Sequence, residues 1–465
     1  MLEFKRLSKL HKYGMAISFL AMEIFALMAF SFGDNFILYG SLSLALMVLL
    51  ILFNIKQLSV DGFSSIAYIL LPLFLFTVIC AIGYYFRPHQ MIGNYKIGDL
   101  LFIPLGLLPL CVSGYILSID KSFKPSILLI VIFSSLGLIS LINLFANIVN
   151  FGFFYPLIYK GYHMYYGGVI SNVPVEDMAY TLEGFKFIEV NMAHYVMYPA
   201  LLFSSLIGLP FINPKENKKM FIIYIVFALI GLLALVFVPS LLGLICGIVV
   251  ILITVIIYLL RRFYPQLAKP SKIVIYVLFI LGILLFLFMF LNNQSKLGFN
   301  RFTSSNSLLN KIFNTNKYVS KYNVVMSDIF YENRFFGFAA SVGSNVATPL
   351  SGSVLFDSCM MAGFIGPIVI IAINYFGFKG FVNYFKFVKE DFYIKALLVG
   401  FTSFATIFFN LFYDAEYGIY YSIHKPAIMA GPYMLVIFIL CFVLSRGSAN
   451  VTKEEKVNKE EAINA

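Results

Sequence analysis

Apolar runs of about 19 residues, closed at their ends by lysine or arginine, recur along almost the whole chain. No other feature restricts the fold as much. A helix rises 1.5 Å per residue, so a run of roughly 20 residues matches the ~30 Å hydrocarbon core of a bilayer. Inside lipid every backbone N–H and C=O must be paired within the segment itself, which leaves helices as the form for runs of this kind. Such runs fall near residues 14–32, 36–54, 65–85, 100–118, 126–149, 195–212, 220–238, 241–260, 273–291, 354–374, 394–412 and 428–445. The expected fold is all-α: a polytopic transmembrane helical bundle of about 12 spans, forming a single integral membrane domain over 1–465. The first run is too long for a signal-peptide core and carries Glu23, so it reads as a retained span. The least distinct boundary is the Val238-Pro239-Ser240 turn.

Composition removes the soluble alternatives. Hydrophobic residues make up 61% and charged residues 12%, where soluble domains carry about 25% charged. A net charge of +11 raises the question of nucleic acid. The basic residues sit in small clusters at the ends of apolar runs, not in one polybasic arm, so no nucleic-acid partner is expected. Positive-inside topology accounts for them: 22 of the 33 Lys and Arg fall in connections on one side, among them Lys5, Arg6, Lys121, Lys215, Lys218, Lys219, Arg261, Arg262, Lys379, Lys386 and Arg446. Twelve spans place both termini on that side, the cytoplasm. With no Trp, any headgroup-level belt must use Tyr, Phe and Lys. The five Cys lie in or beside apolar runs without metal-ligand or disulfide spacing, and read as packing residues.

Two outer connections are long, 150–194 and 292–353, and their mixture of aromatic, polar and charged residues reads as ordered caps. The tail 451–465 is short, charged and solvated. No nucleotide-binding loop is visible, so ATP-driven chemistry is unexpected; no metal-ligand constellation is visible either, and neither a metal nor a cofactor is expected. Charges on the outer side run against the positive-inside bias and can be held there by function. They include Arg87, Arg301 and Arg334, whose guanidinium groups could bind phosphate in a bidentate way or simply pair with Asp328 or Glu332. His89, His163, His194 and His424 also lie outside; each could exchange a proton near neutral pH or serve as an interfacial hydrogen-bonding residue. Glu23, Asp357 and Asp414 are acids in or beside spans, and Asn143 with Asn147 makes an i, i+4 polar stripe that interhelical hydrogen bonds could explain.

The stretch from Arg301-Phe-Thr-Ser through Tyr322-Asn-Val-Val-Met-Ser-Asp and Glu332-Asn-Arg-Phe-Phe-Gly to Ser351-Gly-Ser-Val-Leu-Phe-Asp…Gly363-Phe-Ile-Gly366 resembles the outer loop and following helix of the O-antigen polymerase and ligase families. In those families an arginine-bearing segment precedes an N-x-x-x-G element and a helix ending G-x-x-G. The layout of spans and long loops resembles the Wzy-type polymerases of that group. Ligases commonly carry His-Asn where this chain has Gly352-Ser353, and Ser-Arg where it has Ser240-Leu241, so the polymerase branch is the closer likeness.

The resemblance implies polymerisation of undecaprenyl-pyrophosphate-linked oligosaccharide repeat units into O-antigen, capsule or exopolysaccharide, at the outer face of a bacterial cytoplasmic membrane. It implies that Arg301, Arg334 and Arg87, with Lys160 and Lys186 in the earlier loop, hold the substrate pyrophosphate. His194, His163, Asp357 and Glu332 are the candidates for the catalytic base. The implied partners are the lipid-linked oligosaccharide, membrane lipid, and flippase and chain-length regulator proteins. A lipid-linked oligosaccharide flippase or other polysaccharide transporter is the alternative, though no internal repeat is visible and the charges favour outer loops over the midplane.

Overall fold

A computed structural model of the chain describes parts of residues 13–21, then 36–55, 60–86, 106–120, 123–151, 198–237, 241–263, 361–388 and 435–448, with Leu58, Val354, Ser358 and Tyr433 as single positions. All regular structure among the described residues is helical. The principal helices are α1 (Phe36–Asn54), α2 (Val60–Phe86), α3 (Leu108–Ile119), α4 (Pro125–Phe151), α5 (Tyr198–Phe203), α6 (Lys218–Phe237), α7 (Leu241–Phe263), α8 (Ile365–Phe387) and α9 (Leu435–Ser448). Within them Phe63–Gly83, Lys218–Phe237 and Ile365–Phe387 are long and apolar enough to cross a membrane. The runs near 273–291 and 394–412 and the two long loops lie outside the described residues.

The α2 helix shows why lipid must be the solvent. Ile66, Ile69, Leu73, Phe76 and Cys80 are buried at helical spacing, which makes them the inward stripe. Between them Tyr68, Leu71, Leu75, Val78 and Ile82 are exposed, Leu71 at 70%. Both faces are apolar, an arrangement that water would penalise and hydrocarbon does not. Pro72 sits inside this helix and withholds the bond that Tyr68 C=O would otherwise accept, an interruption that membrane helices tolerate. Thr77 returns its hydroxyl to Leu73 C=O at 2.9 Å. At 27 residues α2 is about 40 Å long, more than the hydrocarbon core requires.

Among the described helices three have no lipid face, and the short α5 (Tyr198–Phe203) is one of them. In α3 every residue from Pro109 to Ser118 is buried, and in α9 every residue from Leu435 to Ser445 is. They are the interior posts around which the others pack. Helix α3 lies against α1 and α2, and α2 against α8. A second group joins α4, α5, α6 and α7. The buried residues of both groups belong to one hydrophobic core.

Contact order along the helices gives their relative directions. Gly377 lies beside Leu440, Gly380 beside Leu444 and Gly447 beside Tyr384, so α8 and α9 run parallel. Tyr68 stacks on Phe376 with ring centroids 4.8 Å apart, while the Cys80 thiol reaches Met361 C=O at 3.7 Å, so α2 runs antiparallel to α8. Residues 389–432 therefore join opposite ends of the α8–α9 pair.

Glycine sets several of these crossings, as two of them show. A Cβ on Gly380 would stand 2.7 Å from Leu444 Cα, and one on Gly231 2.5 Å from Phe203 N. Only a residue without a side chain lets the backbones come so close. Gly137 in α4 is different: its Cβ would meet Leu202 and Phe227 at 3.8 and 3.9 Å, ordinary contact. Gly137→Ala is expected to leave thermal stability in detergent unchanged or raise it by up to about 1 kcal/mol, since Gly costs about that much in a helix. A clear loss in a melting experiment would mean that α4 and α6 pack more tightly than these distances say.

Several boundaries differ from the sequence expectation. The tenth run, expected over 354–374, is divided: Val354, Ser358, Met361 and Ala362 are helical, Gly363 turns the chain at φ 57°, and α8 then continues to Phe387. Positive φ at Gly363 ends one helical piece before the next begins. Gly363-Phe-Ile-Gly366 thus ends one helical piece and opens the next, and Lys379 and Lys386 belong to α8, not to a connection. The sixth run, expected over 195–212, is helical from Tyr198 to Phe203 and then narrows to a 3-10 helix over Ser204–Phe211. Pro210 lacks the N–H that an α-helical register would use there. Six residues at 1.5 Å and eight at ~2.0 Å still reach about 25 Å, so the narrowing keeps a short segment long. The 238–240 boundary does separate two helices, α6 and α7.

Three basic residues towards the C-terminal ends of their helices sit near phenylalanine rings. Arg262 lies 6.0 Å from the Phe263 ring centroid, Lys386 4.7 Å from that of Phe387, and Arg446 5.6 Å from that of Phe442.

Candidate functional site

The residues expected to carry chemistry, namely Arg87, Lys160, His163, Lys186, His194, Arg301, Glu332, Arg334 and Asp357, all lie outside the described residues. Glu23 and Asp414 do as well. Asn143 and Asn147 fall within α4. What the helices do establish is where the chain enters and leaves the segments that bear these residues.

Three such anchors are visible. Residues 152–197, which contain Lys160, His163, Lys186 and His194, run from the end of α4 to the start of α5, and α4 and α5 pack on each other. Both ends of that segment are therefore held by one helix pair. The Cys80–Met361 bond forms the second anchor, tying α2 near its end to the chain just after 292–353. Arg87 follows Phe86, six residues on from Cys80 or about 9 Å along a helix, and Asp357 precedes Met361 by four positions. Val354 and Ser358, on either side of Asp357 in sequence, are fully buried. The third anchor is the α2–α8 pairing itself, which continues the same seam as far as the Tyr68–Phe376 stack.

Polar side chains within the described helices are mostly satisfied by their own backbone. Ser113 donates to Leu110 C=O at 2.9 Å, Ser118 to Tyr115 C=O at 2.6 Å, Ser135 to Ile132 C=O at 3.0 Å, Thr254 to Val250 C=O at 2.8 Å and Asn374 to Ile370 C=O at 2.9 Å. Bonds of this i−3 or i−4 type cost a membrane helix little and carry no substrate information. Contacts between helices are fewer: Ser65 and Ser445 hydroxyls meet at 3.2 Å, and Ser205 donates to Tyr224 C=O at 3.4 Å. Cys80, Cys111 and Cys441 are free and buried, as packing residues would be.

One buried acid was not singled out in the sequence. Asp120 closes α3, its N–H donating to Ile116 C=O at 3.2 Å and its C=O accepting from Phe123 N–H at 3.2 Å, and it is 1% exposed. Beside Lys121 it reads as part of a solvated basic connection. Pro125, which opens the next helix only five residues later, is the signal that the chain has no room there to swing into water. No group of three or more His, Cys, Asp or Glu capable of holding a metal occurs among the described residues.

No protein-family model matches this sequence, and no curated protein and no solved structure matches it.

Proposed function

We propose that this protein is a membrane polymerase that joins undecaprenyl-pyrophosphate-linked oligosaccharide repeat units into a surface polysaccharide. The observation that carries the reading is the sequence from Arg301 to Phe338, an arginine-bearing outer segment followed by Glu332-Asn-Arg-Phe-Phe-Gly, set in a chain of apolar helices. In the reaction an acceptor hydroxyl attacks the anomeric carbon of the growing glycan, the glycosyl–phosphate bond breaks, and undecaprenyl pyrophosphate departs with the bonding electrons. Two tasks fall to the protein. Arg301, Arg334 and Arg87 would stabilise charge on the departing pyrophosphate, and one of His194, His163, Asp357 or Glu332 would take the proton from the hydroxyl. The sugar pyrophosphate is already activated, so the transfer needs no nucleotide.

The packing described above supports this reading in one respect: the Cys80–Met361 contact joins the chain that leads into Arg87 to the chain that follows the loop bearing Arg301 and Arg334. The bilayer-exposed apolar faces of α2 and α8 suit a substrate that arrives on a polyprenyl carrier.

Deleting the gene in its native host and sizing surface glycan and lipid-linked intermediates tests the proposal. Loss of long chains with accumulation of single repeat units, reversed by the intact gene, is the expected result. Repeat units retained on the cytoplasmic leaflet would instead identify a flippase, and an unchanged glycan profile would refute both.

A further inference from the structure

The helices α6 and α7 are joined at one end through residues 238–240, so Lys218 and Phe263 lie at the same, opposite end. At that end Lys215, Lys218, Lys219 and Arg262 are all exposed. The single acid among them, Glu216, accepts a hydrogen bond from Asn213 Nδ2 at 2.8 Å within the turn. Among the described residues none of the four cations has an ion-pair partner. The three lysines stand at and just before the start of α6, where the helix dipole disfavours positive charge and favours an anion.

Each helix carries an apolar stripe that runs up to these cations. On α6 the exposed residues are Ile222, Val226, Leu229 and Leu233, in register with Lys218. On α7 a broader apolar face is exposed, which includes Ile248, Leu252, Val255 and Leu259 in register with Arg262, and Phe263 beyond is 67% exposed. On two helices that touch, apolar faces capped by positive charge have the complementary form of a phospholipid: acyl chains along the helices, an acidic headgroup at their ends.

We propose that this end of α6 and α7 is a binding surface for the headgroups of anionic phospholipids. The lysines do more there than orient the chain: they hold acidic lipids in place against the turn Asn213–Asn217 and the end of α7. Positive charge near a bilayer surface strengthens attraction to acidic lipid by about fivefold per Lys or Arg, so four residues together should matter by about 100-fold or more.

The test uses the purified full-length protein, with retained lipid counted by native mass spectrometry after exchange into phosphatidylglycerol or phosphatidylcholine micelles. Wild type should retain phosphatidylglycerol and release phosphatidylcholine. The variant Lys215→Gln/Lys218→Gln/Lys219→Gln/Arg262→Gln should lose that preference at least tenfold, while melting in phosphatidylcholine as wild type does. Equal retention by the variant overturns the proposal. Equal loss in Lys379→Gln/Lys386→Gln would show a general charge effect and overturns the assignment to α6 and α7. Displacement of the lipid by millimolar inorganic phosphate overturns it as well, since a simple anion site would then suffice.

Discussion

Membranes containing Arg334→Ala or Arg301→Ala in place of the intact protein are expected to make no long-chain polymer, although the variants accumulate at normal levels. Under the proposed function the reason lies in the charge that would develop on the pyrophosphate as the glycosyl–phosphate bond breaks. A donor aimed at such charge in a water-poor site contributes on the order of 100- to 1,000-fold in rate. Arginine suits the task because its fork can meet two phosphate oxygens together, whereas lysine presents a single point charge. Arg334→Lys should therefore fall between wild type and alanine. The measurement is the length distribution of surface glycan on a gel, with immunoblotting of the membrane fraction. Wild-type chain lengths in both alanine variants would remove the pyrophosphate clamp from the proposal and leave the loop resemblance without a chemical role.

A single methyl group should have a comparably large effect on folding. Gly380→Ala puts a Cβ 2.7 Å from Leu444 Cα, and Gly231→Ala puts one 2.5 Å from Phe203 N. Neither neighbour is a flexible side-chain tip that could swing aside. The helices must separate, and every contact along the α8–α9 or α5–α6 seam loosens with them. The expected cost is about 3 kcal/mol at each site, at the upper end for overpacking a tight core. Fluorescence-detected size exclusion after heating in detergent would show it as an early loss of the monodisperse peak. Gly137→Ala serves as the control, having the same chemistry in a helix with room for it. Gly380→Ala and Gly137→Ala melting alike would mean that α8 and α9 do not approach as described.

The two effects also differ in how they could be foreseen. The candidate arginines were singled out from the sequence alone, because a positive charge expected on the outer side would run against a strong topological bias. The glycine crossings were not. The Gly377-Phe-Lys-Gly380 pair has the form of a helix-packing motif, but which helix it meets depends on α9, more than 50 residues away in the chain. The run expected over 354–374 was displaced because Gly363 looks like any small residue in an apolar stretch; its left-handed backbone is a property of the packed chain. The narrowing of Ser204–Phe211 was signalled only by Pro210.

By itself the sequence determined that the described chain is helical and that its helices are of membrane type, because hydropathy summed along a run fixes both, whatever the neighbours. It also determined where α6 and α7 part, through Pro239 and its flanking residues. Only the tertiary structure decided which of these helices are interior. The α3 and α9 helices are as apolar in sequence as α2, yet they are buried on all sides while α2 turns one face outward. When both faces of a helix are apolar, no periodicity distinguishes lipid from protein. The choice is then made by close fit between backbones, and that depends on residues far apart in sequence, such as Gly380 with Leu444 and Gly231 with Phe203.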